Sequence, residues 1–291
     1  MSQISYVDGL RSLSSFYTTS SLNEIVYENN LAIIKKKYAK YKDLIFGDIK
    51  PRDLNDFISS LYKKMESEYR NEYIFKNALI NKILLGKYSL NTTTLLNEFR
   101  IGKSIADTIL INGEAKLFEI KTDLDNLDRL DSQLEDYKKA VGKIYVVTNS
   151  KFIAQMKERY AIANIGLVEF TNTNTLKVHK EAEDDKSFFE HSIIFKMLRK
   201  SEYLAIIKHK FDTIPDVPNT RIYKECLNKV HEIDIAEFQK LAFCELKKRM
   251  INQPAYLKSK RTPYELKYLC YTMNLDEEKY EHLYKILNRG I

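Results

Sequence analysis

The chain of 291 residues carries 47 Lys and Arg against 40 Asp and Glu, a formal charge of +7, with 44% hydrophobic residues and only 8 Gly and 5 Pro. That length supports a sizeable core and excludes a disulfide-stapled miniprotein, and the balance of apolar and charged residues excludes a disordered, collagenous or linker-like chain. Three scattered cysteines, Cys226, Cys244 and Cys270, form no C-x-x-C pair, which argues against a disulfide framework or structural zinc and leads us to expect buried thiols in a reducing compartment.

Residues 1–20 are rich in Ser, Thr and Tyr and weakly patterned, which predicts a loosely held start. Met1 to Tyr6 lack the basic and apolar regions of a signal peptide, and no apolar run is long enough to span a membrane, so a cytoplasmic protein without membrane contact is expected. Apolar spacing predicts a helix over Leu22–Tyr41, a second over Arg52–Ser67 opened by Pro51, and a third over Arg70–Leu85 stopped by Gly86. The period then changes to two. Strands are predicted over 95–101, 105–111 and 115–121, with Asn112-Gly113 as the hairpin signal.

The apolar stripe Leu127, Leu130, Leu134, Tyr137 and Val141 predicts a helix that packs on the sheet. Ile144–Thr148 is a continuous apolar strand of the kind that runs parallel inside a sheet after a crossover. A helix over 152–160 and strands over 166–170 and 176–179 follow, then the acidic stretch Glu181–Asp185. Beyond it the period is helical: 188–211, 222–230, 236–250, 264–272 and 277–287. Residues 191–291 hold 19 Lys and Arg against 13 Asp and Glu, nearly all of the positive excess. A basic helical third suggests a polyanion as partner, with ordinary solubility as the competing explanation. Lys247, Lys248, Arg249, Lys258, Lys260 and Arg261 are its candidate phosphate contacts, or helix caps.

Glu119 and Lys121, two apart on the third strand, share a face. Asp107 on the preceding strand reaches that face only if the hairpin has an odd-length turn. A two-residue turn pairs Asp107 with Phe118, whereas a three-residue Asn112-Gly113-Glu114 turn pairs it with Glu119. Two carboxylates on adjacent strands make a hard oxygen site that suits Mg²⁺ or Mn²⁺, with the Ile120 backbone carbonyl as a further ligand. Lys121 would hold the attacking water and add positive charge.

Asp107, eleven intervening residues and Glu119-Ile120-Lys121, within a helix, three strands, helix, strand order, resemble the PD-(D/E)xK nuclease superfamily, although Ile105-Ala106 stand where the proline of its name would. Gln133 and Tyr137 resemble the Q-x-x-x-Y element of its RecB-like branch, and the D-x-x-x-R-L-x-x-Q-x-x-x-Y helix is similar to that of a bacterial group within it. The resemblance covers residues 68–180. It implies an α/β fold with a restriction-endonuclease-like core, metal bound by Asp107 and Glu119, Lys121 assisting the nucleophile, Gln133 orienting a ligand and Glu98 as the accessory acid. It also implies a nuclease, an endonuclease rather than an exonuclease, acting on DNA rather than RNA.

Each element has a plainer explanation. An E-x-K triplet is commonly a solvated face, Tyr137 belongs to the apolar stripe and is expected to pack in the core, and Arg129 either contacts phosphate or pairs with Asp125. Asp123, Asp125, Asp128 and Asp131 lack the Gly and Glu of a calcium loop, and the histidines lack metal-ligand spacing. Three regions are expected: a helical 1–67, the core at 68–180 and a helical, basic 187–291. A catalytically silent fold that binds nucleic acid or protein is the rival function. A homodimer or a protein partner through the helical extensions stays open.

Overall fold

The computed structural model describes residues 5–291. Helices α1 (Tyr6–Ser14), α2 (Thr19–Val26), α3 (Ala32–Phe46), α4 (Leu54–Glu68), α5 (Glu72–Leu79) and a short α6 (Leu85–Lys87) lead into strands β1 (Thr94–Ile101), β2 (Ser104–Asn112) and β3 (Glu114–Lys121). Helix α7 (Leu130–Lys138) connects to β4 (Lys143–Asn149), and α8 (Ile153–Arg159) to β5 (Gly166–Phe170) and β6 (Leu176–Lys180). The rest is helical: α9 (His191–Lys196), α10 (Lys200–Phe211), α11 (Asn219–Val230), α12 (Ile235–Lys247), α13 (Pro254–Lys258), α14 (Lys267–Met273) and α15 (Glu277–Leu287).

The chain forms two compact units, one from the residues up to Tyr88 with Ile251–Ile291, the other Ser89–Met250. These boundaries differ from the three regions expected. Phe195, Ile206, Phe238 and Leu246 of α9–α12 bury their side chains in the same core as Ile109, Leu117, Val146 and Leu167 of the sheet, so the helices after residue 187 belong partly with the strands.

In the first unit the expected loose start is helical from Tyr6, with Leu10, Leu13, Phe16 and Tyr17 buried; residues 1–4 of that stretch lie outside the described residues. The single helix expected over 22–41 is two, because Asn29 takes a left-handed φ of +54° and the Asn30 side chain accepts from the Ala32 amide, turning the chain between α2 and α3. Buried Asn77 gives its amide to the Tyr62 hydroxyl and the Tyr264 carbonyl and accepts from the Tyr268 amide, tying α5 to the chain's last quarter.

The second unit is a six-stranded mixed sheet in the order β1-β2-β3-β4-β5-β6. β1, β2 and β3 are antiparallel, β3, β4 and β5 parallel, and β6 antiparallel to β5. Leu130, Leu134 and Tyr137 of α7 and Met156 of α8 pack on the face that carries Ile109, Leu117 and Val146. The α/β class and a parallel strand over 144–148 inside a mixed sheet thus match the sequence reading. Helix α7 starts at Leu130 rather than Leu127, because Asp125 folds back to accept from the Thr122 amide and hydroxyl. The helix expected over 188–211 breaks at Arg199, where Glu202 accepts from the Arg199 amide and caps α10. Of the three thiols, Cys226 and Cys270 are buried but Cys244 is exposed on α12. No helix among the described residues is long and apolar enough to cross a membrane.

Candidate functional site

The hairpin between β2 and β3 decides whether a site exists, and its turn is the odd-length one. Ile111 pairs with Ala115 and Asn112 with Glu114 around Gly113, whose φ of +71° only glycine adopts at little cost. Thr108 then faces Phe118, and continuing that register opposes Asp107 to Glu119 on one face. Asp107 Oδ2 accepts from the Ile120 amide at 2.7 Å. Since the N–H and C=O of one strand residue lie along the same edge, the Ile120 carbonyl is on the β2 edge as well.

Glu119 is 1% and Lys121 8% exposed. Charges so placed persist only when paired, and these are. Lys121 Nζ donates to Glu119 Oε1 at 2.7 Å and to Gln133 Oε1, on α7, at 3.0 Å. One turn later on the same ridge, the Tyr137 hydroxyl reaches Glu119 Oε2 at 2.9 Å and the Ile105 carbonyl at 2.8 Å. Burial, followed by the charges of Glu119 and Asp107, pushes the Tyr137 hydroxyl far above the usual phenol range, so it stays protonated and donates. Thr148 Oγ1 on β4 donates to the Lys121 carbonyl and steadies the end of β3.

Asp107, Glu119, Lys121 and Gln133 are thus gathered as the sequence suggested, and Tyr137 does more than pack: it is buried and also holds Glu119. The signal was its i+4 spacing from Gln133. Glu98 is exposed on β1, where the β1–β2 register passes over it and its φ is +49°, a left-handed conformation uncommon for Glu. Arg129 is exposed at the start of α7 and does not pair with Asp125, which caps Thr122.

The basic candidates divide. Arg249 is spent on a two-pronged ion pair with Glu202 and Arg261 on another with Glu281, while Lys248 pairs with Glu245. The Lys247 carbonyl accepts from Thr94, and Lys258 and Lys260 are exposed without a carboxylate partner among the described residues. Of the aspartates weighed as a calcium loop, Asp131 pairs with Arg159 and Tyr160. Among the described residues no three His, Cys, Asp or Glu side chains cluster for a metal. Asp107, Glu119 and the Ile120 carbonyl offer hard oxygen donors, the kind that Mg²⁺ and Mn²⁺ take beside water and substrate oxygens.

A family model described as Bacteriophage P4 protein cII matches residues 65–269. A curated relative, Protein cII of Enterobacteria phage P4, is 28% identical over 186 residues that cover 60% of this chain and 68% of the relative. No solved structure matches the chain. These findings overturn the resemblance to the PD-(D/E)xK superfamily: the matching family is a phage P4 cII family, and a resemblance carried by a short pattern of common residues is open to chance matches.

Proposed function

The chain belongs to the bacteriophage P4 protein cII family, and we propose that it acts there as a divalent-metal-dependent phosphodiesterase that cuts nucleic acid, DNA in preference to RNA and internally rather than from an end. The observation that carries this reading is the placement of Asp107, Glu119 and Lys121 on one sheet face by the odd-length hairpin, with Gln133 of α7 bonded to Lys121. As part of the same proposal, the sequence of β1–β3, α7 and β4 is read as a restriction-endonuclease-like arrangement.

In this mechanism Asp107, Glu119 and the Ile120 carbonyl would hold Mg²⁺ or Mn²⁺. Such an ion, when bound, supplies positive charge against the phosphate and polarises its oxygens. The chain's own groups do the positioning. The Tyr137 hydroxyl and Lys121 fix the two oxygens of Glu119, so the carboxylate is set before substrate arrives. Gln133 holds Lys121 from the helix side. An ammonium has three N–H donors, and the two bonds to Glu119 and Gln133 leave one to aim a water or a phosphate oxygen. Exposed Lys258 and Lys260 and the end of α12 are the surfaces proposed to meet the polyanion.

A catalytically silent nucleic-acid-binding or protein-docking module is the second reading, favoured by one fact: both Glu119 oxygens already have protein partners. The two readings separate in a cleavage assay with Mg²⁺ or Mn²⁺ on plasmid, linear duplex, single-stranded DNA and RNA, with Asp107→Ala and Lys121→Ala alongside. The enzyme reading expects cleavage lost in both variants; binding without cleavage by the wild type supports the silent module.

A further inference from the structure

The face that carries Lys121 continues into a second polar cluster with no part in the chemistry above. In register, Lys121 faces Thr148 on β4 and Thr148 faces Glu169 on β5. Glu169 therefore stands two strand spacings, about 10 Å, from Lys121. Its Oε1 accepts from Ser150 Oγ at 2.6 Å and its Oε2 lies 2.6 Å from His179 Nε2, with both side chains 12% exposed. A register shift between Leu167 and Val168 places His179 at a bulge in β6, a device by which a sheet re-aims a side chain.

The bonds from Ser150 and His179, with Lys177 nearby, hold the Glu169 carboxyl below the usual carboxylate range. An ionised carboxylate only accepts, so His179 Nε2 donates to it, and Nδ1, without a partner among the described residues, becomes a donor to an anion in the imidazolium form of the ring. One exposed cation, Lys177, stands opposite Glu169 in the ladder, and a second, Lys151, follows Ser150 in the chain, where its contact with Asp123 is a loose 3.9 Å. Lys121, Ser150 and Glu169 all lie at the carboxyl ends of β3, β4 and β5, where open sheets with parallel strands gather their ligands.

We propose that the substrate strand runs across the carboxyl ends of β3, β4 and β5 toward β6, and that His179 as the imidazolium, oriented by Glu169 and with Lys177 and Lys151 as further cationic contacts, binds a backbone phosphate three strand spacings, about 14 Å, from the Glu119–Lys121 pair. The inference rests on the phosphodiesterase reading for the identity of the ligand. Glu169 is a positioning residue, since it acts through the imidazole.

The test is binding of a fluorescent eight-nucleotide single strand to the full chain in EDTA, read by anisotropy, followed by cleavage kinetics with Mn²⁺. His179→Ala is expected to weaken binding about tenfold, the loss of one charge-assisted phosphate contact, and to raise KM while kcat stays within about twofold. Lys151→Ala, an exposed change that leaves the fold intact, is expected to lower the salt dependence of binding by about one unit of slope. Glu169→Ala should match His179→Ala, and Glu169→Gln, which keeps an acceptor for the imidazole, should restore binding. Wild-type affinity in His179→Ala together with an unchanged salt slope in Lys151→Ala would overturn the proposal, leaving Glu169 as a clamp for the edge strand. Should the wild type bind but never cleave, the phosphodiesterase reading fails while the effect of His179 on binding remains readable; a wild type that binds no strand overturns both.

Discussion

Replacing Tyr137 by Phe removes one hydroxyl and almost no volume, which makes it a clean probe of how Glu119 is held. The ring is fully buried, and its single proton is shared between Glu119 Oε2 at 2.9 Å and the Ile105 carbonyl at 2.8 Å. A hydrogen bond to a charged group contributes about 1.5–3 kcal/mol, and with the ring retained no cavity cost adds to it. The Glu119 side chain is only 2% exposed, so water does not replace the lost donor and a value of about 2 kcal/mol is expected. For a unit of this size that is a drop of about 4–8 °C in Tm. Urea unfolding of wild type, Tyr137→Phe, Glu119→Gln and the double variant should give a coupling of about 1 kcal/mol or more between the two positions. A Tyr137→Phe protein within about 0.5 kcal/mol of wild type, or zero coupling, would refute the argument that the hydroxyl sets the carboxylate.

Arg249→Met strips Glu202 of a two-pronged partner in a largely buried pair and should cost about 3 kcal/mol in urea unfolding. Burial alone would raise the Glu202 carboxyl, but Arg249 and the Arg199 amide outweigh it and hold the carboxyl below its ordinary range. Its contribution is therefore complete above pH of about 4.3 and lost as pH falls further, so the gap between wild type and Arg249→Met should narrow at acid pH. Glu98→Gly relieves the left-handed φ of +49° and should raise stability by about 1 kcal/mol while lowering any cleavage that uses Glu98, measured by thermal melts beside activity. Gly166→Ala would set a methyl 2.4 Å from Tyr145 Cδ1 and 2.8 Å from the Ala182 amide, for an expected loss of about 1–3 kcal/mol; a wild-type melt would contradict that packing.

The sheet was legible because its signals are local. Period-two runs, Asn112-Gly113 and the apolar 144–148 each report their own strand, and the parity of the hairpin reduced the site to a question of one residue in a turn. What stayed hidden depends on capping and on contacts distant in sequence. The break at Asn29 needs a left-handed residue inside a run of helical period, and the break at Arg199 needs Glu202 to cap the following turn. The grouping of α9–α12 with the strands follows from which apolar faces meet, which spacing within one helix does not record. Charge misled in its own way, since Arg249 and Arg261 look like free cations until their partners Glu202 and Glu281, 47 and 20 residues away, are in place. The family assignment failed because a handful of acids, a lysine and a glutamine at workable spacings are common residues.

The central claim concerns one face of one hairpin, and cleavage of plasmid DNA by the full chain tests it most directly. With Mg²⁺ or Mn²⁺ the account predicts strand breaks that disappear in EDTA and slow by at least about a hundredfold in Asp107→Asn, a substitution that keeps an oxygen to accept from the Ile120 amide but removes the charge. Cleavage at an unchanged rate in Asp107→Asn, or no cleavage of any nucleic acid by the wild type, would contradict it.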